Sequence, residues 1–401
     1  MSRRLVRCMA VVVTGAALWI CATAQSQAPK TAPEAGDAIA VRFAFGGNVA
    51  QVPLEFAADR LLVPVSVNES KPALFLVATG DPHSVLDPAP WIPADSGPDT
   101  RVNFTNTLLS MPGLDLGIPH IQAESLGDIS SILGRHVRGI LGADILGQFV
   151  VEIESDRSAI HFHDMKSFHY DGKGKTLPLI LRDGVPSVHL KLSMPNQPTF
   201  EDDFEIQTEF TGGLEINKPF ISAHHLRPGK VKGFGFPDGK GGKTEVGRAT
   251  RVTMGPYVFT NALVEFPQAA SGGASGPGGA IGNAILRKFR VFLDIPHQQM
   301  IVETNSFYPT DLEADMSGVA MRASGPDLKS FVVAGVAPHS PGSDAGLKDG
   351  DIIAGVDGQP AADLNLSELR DMFRQIGAEY KLTVLRGDHT VELKLKTRRL
   401  V

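Results

Sequence analysis

A chain of 401 residues is too long for one ordinary hydrophobic core and divides into two or three domains. With 42% hydrophobic and 20% charged residues it reads as a soluble globular protein, and 42 Gly with 28 Pro imply frequent turns and argue against long helical bundles. The net charge of −6 argues against a polyanionic partner such as nucleic acid.

The first residues have the form of an export signal. Arg3, Arg4 and Arg7 give a positive start, Met9 to Ile20 is apolar, and Ala22-Thr23-Ala24 supplies a cleavage site. This predicts a leader over residues 1–24 and a mature chain from about Gln25, destined for a periplasmic or extracellular compartment. The apolar stretch falls short of the roughly 20 residues that cross a bilayer, so no membrane span is expected in the mature chain. Both cysteines, Cys8 and Cys21, lie in the leader, which leaves the mature protein no thiol for a disulfide, a nucleophile or a metal. Bulky Ile20 argues against lipid attachment at Cys21. Loss of three arginines leaves 35 basic residues against 44 acidic ones, a net charge of −9.

Residues 25–45, rich in Ala with scattered Pro and Gln and without apolar periodicity, are expected to form a disordered tether. From Val52 to about Val302 short strand-like runs alternate with Gly, Pro, Asn and Asp, as in Leu61–Val67 and Val185–Leu192. This region repeats itself. Val52-Pro53-Leu54 corresponds to Leu177-Pro178-Leu179, Gly139–Leu146 to Gly279–Leu286, and Phe149–Ile153 to Phe289–Leu293. Two similar β lobes are predicted, over 46–170 and 171–305. Ser271 to Gly279 reads as a mobile Gly/Ser-rich loop in the second.

The paired motifs resemble the retropepsin-like aspartic protease family, here as two tandem lobes. In that family each lobe carries a strand ending in Asp-Thr-Gly, and a later apolar-apolar-Gly segment passes beneath it. Ile140-Leu141-Gly142 and Ala280-Ile281-Gly282 match the second element. At the turns themselves stand Ala78-Thr79-Gly80 and Gln207-Thr208-Glu209, so both aspartates are absent. Two adjacent carboxylates share a proton and serve as base and acid towards a water and a carbonyl. Ala78 can do neither, and Gln207 takes up no proton near neutrality. The resemblance implies that Thr79 and Thr208 bond across the lobe interface. It also implies that Glu209, at a glycine position, crowds a close backbone approach. Asp81 and Glu209, close in sequence to the lost positions, are the acids that could form a displaced pair.

Residues 312–401 resemble a PDZ domain of the kind attached to bacterial secreted proteases. The signature is Ser340-Pro341, then Ala345-Gly346-Leu347-Lys348-Asp349-Gly350-Asp351-Ile352-Ile353 and Val356-Asp357-Gly358. A helix from about Leu366 to Gln375 is predicted, with Asn365 and Glu368 forming a capping box and Gly377 ending it. Such a domain takes an extended peptide as an added strand, with a backbone nest for the terminal carboxylate. The resemblance places Ser317, Gly318, Val319 and Ala320 in that loop, Met321 at the start of the strand, and Leu369 and Phe373 at the side-chain pocket.

Other motifs carry less. Gly239–Thr244 lacks the leading glycine of a phosphate loop. His161 and His163 share a face with His169 nearby, but an exposed strand edge accounts for them without a metal. The expected fold class is mainly β, two acid-protease-like lobes followed by an α/β PDZ domain, with no cofactor and no metal. The expected partner is a polypeptide or a protein C-terminus, and nothing in the residues specifies an oligomeric state. Hydrolysis through Asp81 and Glu209 is the alternative, and a structural or assembly role in the cell envelope is the third reading.

Overall fold

Strand formation follows side-chain alternation. Along Val49–Pro53, Ala50 and Val52 are buried while their neighbours face solvent, and Phe149–Glu154 is buried on both faces because it lies at the centre of the molecule. The computed structural model describes residues 38–91, 104–226, 234–237, 243–267, 278–310 and 313–401, all within one compact unit. The leader (1–24) and the tether up to residue 37 lie outside the described residues, as do 271–277 of the Gly/Ser-rich loop and residues 239–242 of the phosphate-loop-like motif. Gly279 itself begins a strand, Gly279–Ile281. No helix among the described residues is long and apolar enough to cross a membrane.

Each lobe is a curled sheet with two parallel pairs, one of which leads into its degenerate turn. In the first, Ala73–Val77 runs beside Val137–Leu141 with Val77 opposite Leu141. In the second, Thr199–Ile206 runs beside Gly279–Ile281 with Ile206 opposite Ile281. These are the strands that lead into the degenerate turns and the apolar-apolar-Gly segments beneath them. Between the lobes, Phe149–Glu154 pairs antiparallel with Phe289–Asp294, the segment it matches in sequence. Glu152 faces Phe292, Val151 faces Leu293 and Ile153 faces Val291, so a local two-fold axis passes through the Glu152–Phe292 pair. The shared sheet continues outward to Ala159–Asp164 and Val49–Pro53 on one side, and to Gln299–Thr304 and Lys175–Arg182 on the other. The two Pro-containing segments that repeat in sequence thus hold equivalent places in the shared sheet, although Val49–Pro53 ends it while Lys175–Arg182 also pairs with Val185–Ser193.

One boundary differs from expectation. Ala40–Phe43, inside the stretch predicted to be tether to residue 45, is a strand paired with Leu114–Ala123. Four residues are too few to show periodicity. What anchors them is distant, for Phe43 packs edge-on against Phe149.

The C-terminal domain has its own hydrophobic core, which includes Met321, Phe331, Leu369, Phe373 and Leu382. Its sheet runs in the order Val319–Ser324, Ser330–Val336, Ile352–Val356, Glu379–Arg386, His389–Lys396, with Val319–Ser324 an edge strand. The helix Leu366–Phe373 carries the predicted capping box: Asn365 Oδ1 accepts from Glu368 N at 2.9 Å, and Glu368 Oε2 accepts from Asn365 N at 2.7 Å. Leu366, Leu369 and Phe373 face inward, as their spacing predicts. Ser340 caps the short helix Pro341–Ala345, which Gly346 ends at φ +84°.

Candidate functional site

The two degenerate turns meet where the lobes touch. Ala78 N donates to Leu141 O and Gln207 N to Ile281 O, each at 3.0 Å, so each turn rests on the segment threaded beneath it. Thr208 N donates to Thr79 Oγ1 (3.1 Å) and Thr79 N to Thr208 Oγ1 (3.2 Å). The hydroxyls then donate onward, Thr79 to Ile206 O (2.5 Å) and Thr208 to Val77 O (2.7 Å). The reciprocal grip implied by the family resemblance is therefore present, and both threonines are buried.

The proton-transfer positions above this grip are filled differently. Ala78 is fully buried and packs with Leu126, Leu133 and Ile140. Gln207 donates through Nε2 to Glu205 Oε2 at 2.8 Å. Glu209 reaches over the other turn. A Cβ placed on Gly80 would lie 2.2 Å from Glu209 Oε1 and 2.6 Å from Gln207 Cγ, and Gly80 N donates to Glu209 Oε2 at 3.4 Å. The expected crowding is thus accommodated because the opposing residue has no side chain. Burial, helped by nearby Asp81, pushes the Glu209 carboxyl up to about 8 against the pull of Gly80 N–H and Arg60. Asp81 is likewise raised by burial and by Glu124. Among the described residues no hydrogen bond joins the Asp81 and Glu209 carboxyls. With its carboxyl raised to about 8, Glu209 holds its proton near neutral pH, and it lines the turns together with the Gln207 amide.

At the segments expected to form the PDZ groove, other groups of the chain take the polar atoms. In the carboxylate loop, Ser317 N (2.9 Å), Gly318 N (2.6 Å) and Ser317 Oγ (2.8 Å) all donate to Asp315 Oδ1, and Val319 N donates to Ser317 Oγ at 3.1 Å. Burial raises the Asp315 carboxyl above its ordinary value, and these donors oppose the rise. Gly318 sits at φ +69°, where a Cβ would meet Ser340 Cβ at 2.4 Å. Val319 and Ala320, expected in the loop, instead open the edge strand, of which Met321 is the third residue. Met321, Leu369 and Phe373 are part of the domain's buried core, the last two with no exposed surface.

Along the free edge of Val319–Ser324 lies a helix of the first lobe, Gly127–Leu133. Its Ser131 Oγ donates to Ala323 O at 2.6 Å. Arg370, on the PDZ helix, donates to Met321 O at 2.8 Å and to Ile132 O at 2.7 Å, joining the two walls of the groove to the lobe helix. Gly134, which ends the lobe helix at φ +65°, approaches so closely that a Cβ there would lie 2.7 Å from Leu366 Cβ. Asp128 pairs with Arg322 at 3.5 Å. From the second lobe, Phe234–Pro237 packs against the first two PDZ strands.

Neither Asp315 nor the lobe helix was singled out from the sequence. Asp315 had a local signal, an aspartate two residues before Ser-Gly where its side chain can bond the backbone ahead of it. The lobe helix had only Gly134 at its end, for it spans seven residues without a side-chain cap at its start.

His161 and His163 do stack, 6.1 Å apart, and with Glu152 and Glu154 they form an acidic, imidazole-bearing cluster. Arg290 already supplies its cation, with Nε 2.6 Å from Glu152 Oε1 and NH2 3.6 Å from Glu154 Oε1, while His163 Nε2 lies 2.7 Å from Glu152 Oε2. Burial alone would raise Glu152, yet the bonds from His163 and Arg290 hold it well below the carboxylate range. The arrangement is an ion-pair network around a guanidinium.

Comparison with known proteins bears mainly on the C-terminal domain. The family model described as PDZ domain matches residues 310–397. No curated protein matches the chain. Among solved structures, it is similar to the HtrA3 PDZ domain bound to a phage-derived ligand (FGRWV), with 30% identity over 20% of this chain and 79% of that one, TM-score 0.18. It is similar to an aspartic proteinase from Irpex lacteus at 14% identity, covering 65% of this chain and 99% of that one, TM-score 0.41. It is also similar to the photosystem II D1 C-terminal processing protease at 27% identity, over 22% and 23% of the two chains, TM-score 0.20. The molecule is thus a mainly β body of two barrel-like lobes, and residues 310–397 are a PDZ domain.

Proposed function

We propose that this chain is an exported polypeptide-binding protein that recognises protein C-termini through its PDZ domain and does not hydrolyse them. The observation that carries the reading is the content of the inter-lobe turns. The threonine grip that positions a catalytic pair is complete, yet the side chains it would position are a buried methyl group and an amide. Loss of both acid–base groups removes far more than the roughly 10²–10⁴-fold that one of them contributes. What remains is a rigid two-lobed scaffold bearing a domain whose edge strand and preceding loop suit an extended chain with a free carboxylate.

The test incubates the full chain with pooled peptides of random sequence from pH 3 to pH 8, following cleavage by mass spectrometry and binding by fluorescence anisotropy. Binding of free-acid peptides over their amides, with every peptide intact, is the expected result. Cleavage lost in Asp81→Asn and Glu209→Gln would establish the hydrolytic alternative instead. Intact peptides with no binding would leave the assembly role.

A further inference from the structure

A peptide that joins this domain as a strand needs the outward acceptors of Val319–Ser324 and the N–H groups of the loop before it. Neither set is free. Met321 O and Ala323 O, two residues apart and so on one edge of the strand, are taken by Arg370 and by Ser131 of the lobe helix. Ser317 N and Gly318 N are taken by the Asp315 carboxylate, chemically the same group that a peptide's C-terminus would present. Val319 N is turned onto Ser317 Oγ.

We propose that the PDZ groove is an internally closed site: Asp315 stands in for a ligand's terminal carboxylate, the lobe helix Gly127–Leu133 stands in for its strand, and a peptide binds only by expelling both. This rests on the reading of the chain as a polypeptide binder and adds its regulation. Arg370 ties the edge strand to the lobe helix, because the guanidinium that holds Met321 O also holds Ile132 O. A strand that claims Met321 O therefore releases the lobe helix, and occupancy of the groove is converted into separation of the PDZ domain from the first lobe. Since the competitor is part of the same chain, apparent affinity falls in proportion to the fraction of molecules in the open state.

The test uses the full chain and pooled random C-terminal peptides, as free acids and as amides, read by fluorescence anisotropy. Hydrogen exchange at residues 127–133 is the second readout. Asp315→Ala empties the loop. Ser131→Ala combined with Asp128→Ala frees the helix from outside the PDZ fold, and stays informative if the first variant disturbs its own loop. Each variant is expected to bind free-acid peptides at least about tenfold more tightly than the unaltered chain. Peptide added to the unaltered chain is expected to speed exchange in the helix. Equal affinities across all three proteins, with helix exchange unmoved by peptide, overturn the closure and leave the binder reading standing. Free-acid peptides that bind none of the three overturn the binder reading and the closure together.

Discussion

A single carboxyl group sets the chemistry of the inter-lobe site. Glu209 stands where a glycine would leave room, and its protonation near neutrality follows from burial beside Asp81. Glu265, further along the second lobe, is pushed up to about 7 by burial and by Glu215, with Arg60 opposing. Both groups bind a proton in the folded state at pH values where the unfolded chain has already released it. Stability is therefore expected to fall as pH rises from the ordinary carboxylate range towards 8, by up to about 1.4 kcal/mol per pH unit for each group. Urea midpoints at pH 5 and pH 8 measure this, and Glu209→Gln should remove its share of the slope. An unchanged midpoint across that range in the unaltered chain would mean that Glu209 is ionised and better solvated than its surroundings suggest. At this scale the sequence was informative about what is missing and less so about what replaces it. The absence of two aspartates is visible in a string of letters. That Glu209 folds over Gly80, and that Asp315 turns back onto the loop it precedes, depends on distances only the fold sets.

Among the elements, the turns and the strands beneath them were the most legible, because their order recurs in both lobes. The same repetition accounts for the shared sheet, in which matching strands face each other across a two-fold axis. The threonine grip tests whether this symmetry carries energy as well as shape. Thr208→Val keeps the volume but removes the hydroxyl, leaving Val77 O without its donor and Thr79 N without its acceptor inside the molecule. A loss of about 1–3 kcal/mol for each unpaired group is expected from chemical denaturation, with Thr208→Ser restoring most of it. A loss below about 0.5 kcal/mol would show that water reaches the grip. The lobe helix was illegible for the opposite reason. It is short and has no side-chain cap at its N-terminus, and what holds it is a strand nearly two hundred positions later in the chain, a contact for which local periodicity leaves no trace.

The whole molecule is tied together at one hairpin tip. Ala58 and Asp59 form a two-residue turn with φ of +47° and +59°, a conformation that costs a side-chain-bearing residue such as alanine roughly 1–2 kcal/mol and persists only where its surroundings require it. Those surroundings are all three folded parts of the protein. Ala58 N donates to Ser367 Oγ of the PDZ helix at 3.0 Å, and Asp59 O accepts from Asn283 Nδ2 of the second lobe at 2.8 Å. The Asp59 carboxylate pairs with Arg374 of the PDZ domain (2.6 Å) and Arg287 of the second lobe (3.0 Å). Asp59→Ala leaves two guanidinium groups facing each other without their common anion. They are partly solvated, so the expected loss is modest, roughly 1–2 kcal/mol. It falls on the junction rather than on either core, because the PDZ domain keeps a hydrophobic cluster of its own. Calorimetry should therefore resolve one cooperative transition into two, with the PDZ domain melting apart from the body, and small-angle scattering should show a more extended particle. If Asp59→Ala instead melts in a single transition with unchanged dimensions, the junction is held by the lobe helix, the Gly134–Leu366 contact and the packing of Phe234–Pro237, and the hairpin tip is only a spectator.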